Sequence, residues 1–277
     1  MDFKVCFVGG GNMAGSMISG LVEDGFYPSN ITVFDRNLDK LKKLAEVYGV
    51  SFSQNLKEMV SNNHVVVLAV KPQQMEDVVS QIKEVVRENS NFIITVAAGI
   101  SSSVYKSLFG FDVSLARVMP NTPASIRCGA SGIFLNPNVS DREKEIVEYM
   151  MRTMGVIIIV DEEYKIDVVT ACAGSAPAYF LLFMECVIDE ARRMGLSSEQ
   201  AKLLVTQTAL GAAKMAMRSD DDIEVLRNKI TSKGGTTAES LKIFDDGGIK
   251  DLVAKAMQAN IRRSKELTEI FSSKLSN

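Results

Sequence analysis

The chain has 277 residues, a formal net charge of −3 and 46% hydrophobic residues. This is length for one large domain or two ordinary ones with a real core, and the slightly acidic balance removes any electrostatic case for binding nucleic acid. No apolar stretch approaches the roughly 20 residues that cross a bilayer, and the opening MDFKVCF runs into a strand pattern without the order of a signal peptide, so a cytoplasmic protein is expected.

The apolar run Phe3–Val8 predicts a first strand, followed at once by Gly9-Gly10-Gly11-Asn12-Met13-Ala14-Gly15. The spacing is G-x-G-x-x-A: Gly9 makes the turn, Gly11 lets a pyrophosphate approach the backbone, and Ala14 allows close helix–strand packing. A helical pattern (Met13, Met17, Ile18, Leu21, Val22) leads past Pro28 to a second strand, Ile31–Asp35, which ends in Asp35-Arg36. A glycine fingerprint between strand and helix, with an acid at the end of the next strand, points to dinucleotide binding rather than an incidental turn. Asp35 suits the ribose 2′-hydroxyl of NAD. Arg36, with Lys40 one helical turn on, offers a planar fork for the extra phosphate of NADP. The reading leans to NADPH with NADH also usable; Arg36 as a solvated turn residue is the competing view.

Strand patterns recur at Val50–Phe52, Val65–Val70, Asn91–Val96, Val113–Val118, Gly132–Leu135 and Val156–Val160, between helical patterns such as Leu38–Val47, Gln73–Arg87 and Asp141–Met154. This alternation predicts an α/β, Rossmann-like domain over residues 1–161, a mostly parallel sheet with helices on both faces. Three strand ends carry small or polar residues: Ala69-Val70-Lys71-Pro72, Val96-Ala97-Ala98-Gly99 and Met119-Pro120-Asn121-Thr122-Pro123. Together they line the edge along which a dinucleotide extends. The candidate cofactor contacts are therefore Gly9, Gly11, Asn12, Met13, Asp35, Arg36, Ala69, Lys71, Pro72, Ala97 and Asn121. The only histidine, His64, stands at the entry of a strand, the wrong end for chemistry, so histidine-relayed catalysis and histidine-ligated metals are not expected. Cys6, Cys128, Cys172 and Cys186 are far apart and read as buried, reduced thiols.

From Glu162 onward helical patterns take over: Tyr164–Ala173, Ala178–Met194, Ser198–Arg218, Asp221–Lys229, Thr236–Phe244 and Lys250–Phe271. Residues 162–277 are expected to form an all-α domain. Its segments Ala178–Ile188 and Leu203–Met217 are apolar nearly all round, which demands burial that so small a domain cannot supply alone; a second subunit is expected to provide it. Within this half, Ile230–Ser240 reads ITSKGGTTAES. Two glycines among hydroxyls before a helix can gather backbone N–H groups around a small carboxylate or phosphate, or can simply be a capped helix start.

Over essentially its whole length the chain resembles the pyrroline-5-carboxylate reductase family. The resemblance rests on Gly9-Gly10-Gly11-Asn12-Met13-Ala14, Ala69-Val70-Lys71-Pro72, Ala97-Ala98-Gly99, Met119-Pro120-Asn121-Thr122-Pro123, Gly174-Ser175-Ala176-Pro177-Ala178, Gly211-Ala212-Ala213-Lys214-Met215 and Ser232-Lys233-Gly234-Gly235-Thr236-Thr237. It implies reduction of a cyclic imine carboxylate to L-proline with NADPH or NADH, by a homodimer formed through the helical domain and assembled further into a decamer. It also implies roles in the second glycine loop: Ser232, Gly234, Gly235 and Thr236 grip the substrate carboxylate, and Thr237 hydrogen-bonds the imine nitrogen. The chain departs from the family form in having Lys233 where proline is usual, and Asp220-Asp221-Asp222-Ile223 where a Glu-x-His-Pro stretch is common. Two alternatives stand beside this reading. One is a β-hydroxyacid dehydrogenase, which would need Lys165, Lys202 or Lys214 as its catalytic lysine. The other is a non-catalytic nucleotide sensor, which would have no use for a carboxylate cradle.

Overall fold

The computed structural model describes residues 2–275. Eight strands form one sheet: β1 (Val5–Val8), β2 (Ile31–Phe34), β3 (Ser51–Phe52), β4 (Val65–Leu68), β5 (Phe92–Thr95), β6 (Leu115–Met119), β7 (Gly129–Leu135) and β8 (Gly155–Val160). Their order is β3-β2-β1-β4-β5-β6-β7-β8, and every neighbouring pair is parallel except β6–β7. Period-2 alternation separates two cores. Val5, Phe7, Val65, Val67, Phe92 and Ile94 face helices α1 (Asn12–Glu23), α2 (Leu38–Tyr48) and α6 (Asp141–Arg152). Cys6, Val8, Val66, Leu68 and Ile93 face α3 (Leu56–Ser61), α4 (Met75–Asn89) and α5 (Ser102–Phe109). The mostly parallel sheet with helices on both faces is as the sequence alternation requires.

Two of these helices have no counterpart among the predicted elements. α3 has 6 residues and α5 has 8, too short to show a 3.6-residue period. Both start on side-chain caps: Asn55 accepts from Glu58 N–H and Ser101 from Val104 N–H. Elsewhere the punctuation works as read. Pro72 opens a single 3₁₀ turn before α4, and Gly195 at φ +110° ends one helix before a capping box of Ser197 and Gln200 begins the next. The expected helix Tyr164–Ala173 is shorter: α7 (Lys165–Val169) passes into a wide turn, Thr170–Gly174, where Ser175 N–H reaches back to Thr170 O at 2.8 Å. Such a five-residue bulge is local and leaves no trace in apolar periodicity. Within Lys165–Arg193 one 18-residue window has a mean hydropathy of 1.6, so by length and composition alone this helix is apolar enough to cross a membrane.

The described chain divides into two compact units, Met1–Ser175 with Ala259–Asn277, and Ala176–Gln258. This differs from the division at 161/162, because Ile166 and Val169 of α7 pack with Val160, and the far half of α12 (Ile249–Leu275) binds here too. Ser264 donates to Asp167 at 2.6 Å, and Thr268 to the Gly99 carbonyl at 3.1 Å. The second unit contains α8 (Ala176–Arg193), α9 (Ser198–Arg218), α10 (Ile223–Lys229), α11 (Thr236–Asp246) and the first part of α12. Its apolar side chains are exposed in the single chain, Phe180 by 67% and Leu203 by 69%. Cysteine burial is also partly corrected. All four thiols are free, but only Cys6 is buried, where desolvation pushes its pKa up; Cys128, Cys172 and Cys186 are exposed.

Candidate active site

In an open parallel sheet a ligand binds where the strand order reverses, at the carboxyl ends of the strands. Here that point lies between β1 and β4, and the glycine loop stands on it. Gly9 has φ +108°, and a Cβ there would sit 2.6 Å from the Ala69 carbonyl oxygen. Glycine is thus required twice, by conformation and by space. Ala69 therefore forms the wall behind the loop. Gly11 is different: its backbone is extended at φ −79°, and a Cβ would meet nothing within 4 Å. It occupies the N-cap of α1 with no side-chain cap, so the first N–H groups of the helix open onto free space, the arrangement that receives a phosphate. A cavity of about 570 Å³ lies against it, lined by Gly11, Asn12, Met13, Ser16, Lys40 and Thr122 among others. These residues fit a pyrophosphate.

Asp35 has a second task that the sequence did not reveal. Its carboxylate accepts the Gly10 N–H and the Asn37 N–H, each at 2.8 Å, with Lys40 Nζ at 4.0 Å. Both oxygens are engaged in clamping the glycine loop to the start of α2, so Asp35 shapes the cradle, whatever further bond a ribose adds. Arg36 is exposed and ion-paired with Asp77 of α4. Lys71 is exposed, and Pro72 half-buried beside it.

The remaining cofactor candidates do not line the cavity. Ala97 N–H donates to Thr95 Oγ1 at 3.3 Å, and Thr95 is bonded to the Tyr105 hydroxyl at 2.5 Å. Burial pushes the Tyr105 phenol above its ordinary pKa. Asn121 donates to the Ala173 carbonyl at 3.1 Å and accepts the Ala130 N–H at 3.0 Å, so its amide pins β6 to β7 and to the wide turn. The buried Arg117 pairs with the half-buried Glu163, which also accepts the Ser102 N–H at 2.6 Å and so fixes the loop after β5. Lys43, Tyr48 and Ser125, which also line the cavity, were not singled out from the sequence. Lys43 is in register with Lys40 on α2, the one signal that marked it.

In the second unit the Ile230–Ser240 loop is a tight turn. Gly234 has φ +70°, Gly235 is the extended N-cap of α11, and its N–H donates to Ser232 O at 3.0 Å. No side chain caps the helix, so the capped-start reading fails here. Ser232, Thr236 and Thr237 are exposed. His64 is exposed at the amino end of β4, as its position implied. Lys165 bonds Asp161 at 2.5 Å, which raises its pKa, the opposite of what a lysine base needs.

A family model described as pyrroline-5-carboxylate reductase dimerisation matches residues 163–267, and one described as NADP oxidoreductase coenzyme F420-dependent matches residues 4–99. A pyrroline-5-carboxylate reductase of Vibrio alginolyticus is 39% identical over 97% of this chain and 98% of its own. The solved structure of the enzyme from Coxiella burnetii is 39% identical, with a TM-score of 0.92 over 96% of this chain and 98% of that one. The pyrroline carboxylate reductase of Plasmodium falciparum, solved with NADP bound, is 28% identical with a TM-score of 0.86 over 96% and 98%.

Proposed function

The chain belongs to the pyrroline-5-carboxylate reductase family, and from that premise we propose that its two glycine loops divide the work of one hydride transfer. The protein is an NAD(P)H-dependent oxidoreductase that reduces 1-pyrroline-5-carboxylate to L-proline, the last step of proline biosynthesis, and it forms homo-oligomers.

The observation that carries the proposal is a pair of uncapped helix N-termini behind glycine turns, at Gly11 and at Gly235. Gly9, Gly11, Asn12 and Met13 hold the pyrophosphate on α1. Asp35 orients the loop through Gly10 and faces the ribose, and Arg36 pairs with the 2′-phosphate in exchange for Asp77. Ala69, Lys71, Pro72, Ala97 and Asn121 border the path of the cofactor. When bound, the nicotinamide supplies the hydride.

The N–H groups at Gly234 and Thr236, with the Ser232 hydroxyl, grip the substrate carboxylate, and Gly235, whose N–H is held by the Ser232 carbonyl, keeps the turn against it. Thr237 hydrogen-bonds the imine nitrogen and holds the proton there. A protonated imine is already electrophilic, so no stronger acid is needed, and orientation supplies much of the rate, an effect worth roughly 7–11 kcal/mol in favourable cases. The working division lies at 161/162, just before the matched dimerisation segment, although packing groups 162–175 with the sheet. The helical half joins two copies, five such pairs make a decamer, and the enzyme works in the cytoplasm.

The direct test is loss of reduced-nicotinamide absorbance with the cyclic imine, set against its gain with 3-hydroxy acids and the oxidised cofactor. Turnover of the latter alone overturns the reading. Arg36→Ala should lose about 1.5–3 kcal/mol of charge-assisted binding, a roughly ten- to hundredfold fall in kcat/KM with NADPH and little change with NADH. A parallel fall with both cofactors removes Arg36 as the discriminator. Ser232→Ala should raise KM for the imine several-fold at nearly constant kcat; an unchanged KM takes the hydroxyl out of the carboxylate grip.

A further inference from the structure

β8 is the last strand of the sheet, and among the described residues nothing pairs with its outer edge. Its parity is fixed by the Gly129 N–H, which donates to Met154 O at 2.9 Å, and by the register Gly129↔Gly155 through Phe134↔Val160. Alternate residues of a strand face a given neighbour. Val156, Ile158 and Val160 therefore turn their backbone groups to β7, and Ile157 and Ile159 turn theirs to the open side.

The side chains are as unprotected as the backbone. Val156 is 62% exposed and Ile158 57%. Natural edges are guarded by charges, prolines or bulges; the stretch GVIIIV has no charge and no proline. An open apolar strand of this kind is a template for uncontrolled association. One occupant satisfies the edge and ends growth. If the strand pairs antiparallel with itself about a two-fold axis, the same groups serve both copies and no free edge remains. Continuity also favours a second copy: β8 ends at Val160, and the segment matched to the dimerisation model begins at residue 163.

We propose that β8 pairs antiparallel with β8 of a second copy of this chain. Ile157 of each copy bonds Ile159 of the other, and Ile158 meets its counterpart on the axis. The two sheets become one across the interface.

Two measurements on the full-length protein test this. In the native oligomer the amide hydrogens of Ile157 and Ile159 should exchange at least about a hundredfold more slowly than in an open strand. Fast exchange at both in a protein that is still dimeric overturns the pairing, while leaving the homo-oligomer itself standing. Like charges directly opposite one another across strands repel, so Ile158→Lys and Ile158→Glu should each raise the dissociation constant roughly tenfold or more. An equimolar mixture of the two should return it close to native. Bound cofactor, measured in each variant, reports that the sheet is folded. Slow exchange without recovery in the mixture assigns the edge to a different segment of the second copy and equally overturns the proposal.

Discussion

Gly11→Val is expected to abolish NADPH binding and leave the fold intact. The residue has an extended backbone, which valine adopts without strain, and its Cβ would project where no protein atom lies within 4 Å. Nothing in the folded chain resists the substitution; only a ligand arriving at the α1 N-terminus does. Losing two charge-assisted N–H contacts amounts to roughly 3–6 kcal/mol, about a hundred- to ten-thousandfold in affinity. The control is Gly9→Ala. There a methyl group enters 2.6 Å from the Ala69 carbonyl at φ +108°, so the fold itself is hit. Calorimetric titration with NADPH, beside the melting temperature, separates the two. Wild-type affinity in Gly11→Val would remove the glycine loop from cofactor binding.

Thr237→Val should lower kcat/KM for the imine by about ten- to a thousandfold, the scale of one aligned proton-holding group. Valine keeps the branched shape, and Thr237 is exposed near the start of α11 with its hydroxyl free of capping duty, so stability should hardly move. NADPH affinity should be unchanged. The effect belongs in kcat more than KM, because the contact matters most as the nitrogen gains its pair of electrons. Turnover at the wild-type rate would leave the proton with water or the substrate itself and reduce Thr237 to packing.

Features encoded within a few residues of one another were legible without a structure. The G-x-G-x-x-A spacing, the double glycine at Gly234-Gly235, the stop at Gly195 and the cap at Ser197 depend on backbone freedom and on hydrogen bonds that span three or four positions. Strand-like runs announced every strand; β1 to β5 are shorter than read, β6 is shifted toward Met119, and β7 and β8 begin earlier, at Gly129 and Gly155. The family resemblance then attached a substrate to a loop that the residues alone left open between an anion site and a helix start.

What only the tertiary structure decided involves partners distant in sequence. Asp35 was read from its place at a strand end, yet its carboxylate clamps Gly10, 25 positions away. Arg36 was read as a free guanidinium, yet it meets Asp77, 41 positions away. Asn121 carries a motif and is tied to Ala173 and Ala130. Strand order is the deepest case: the pattern GVIIIV states that β8 is a strand and says nothing of its having one neighbour or two. Periodicity records which face of an element is apolar. Which element covers that face, and which hydrogen-bonding edge stays open, is settled by pairing across the whole chain, where closure entropy, register and packing are decided together.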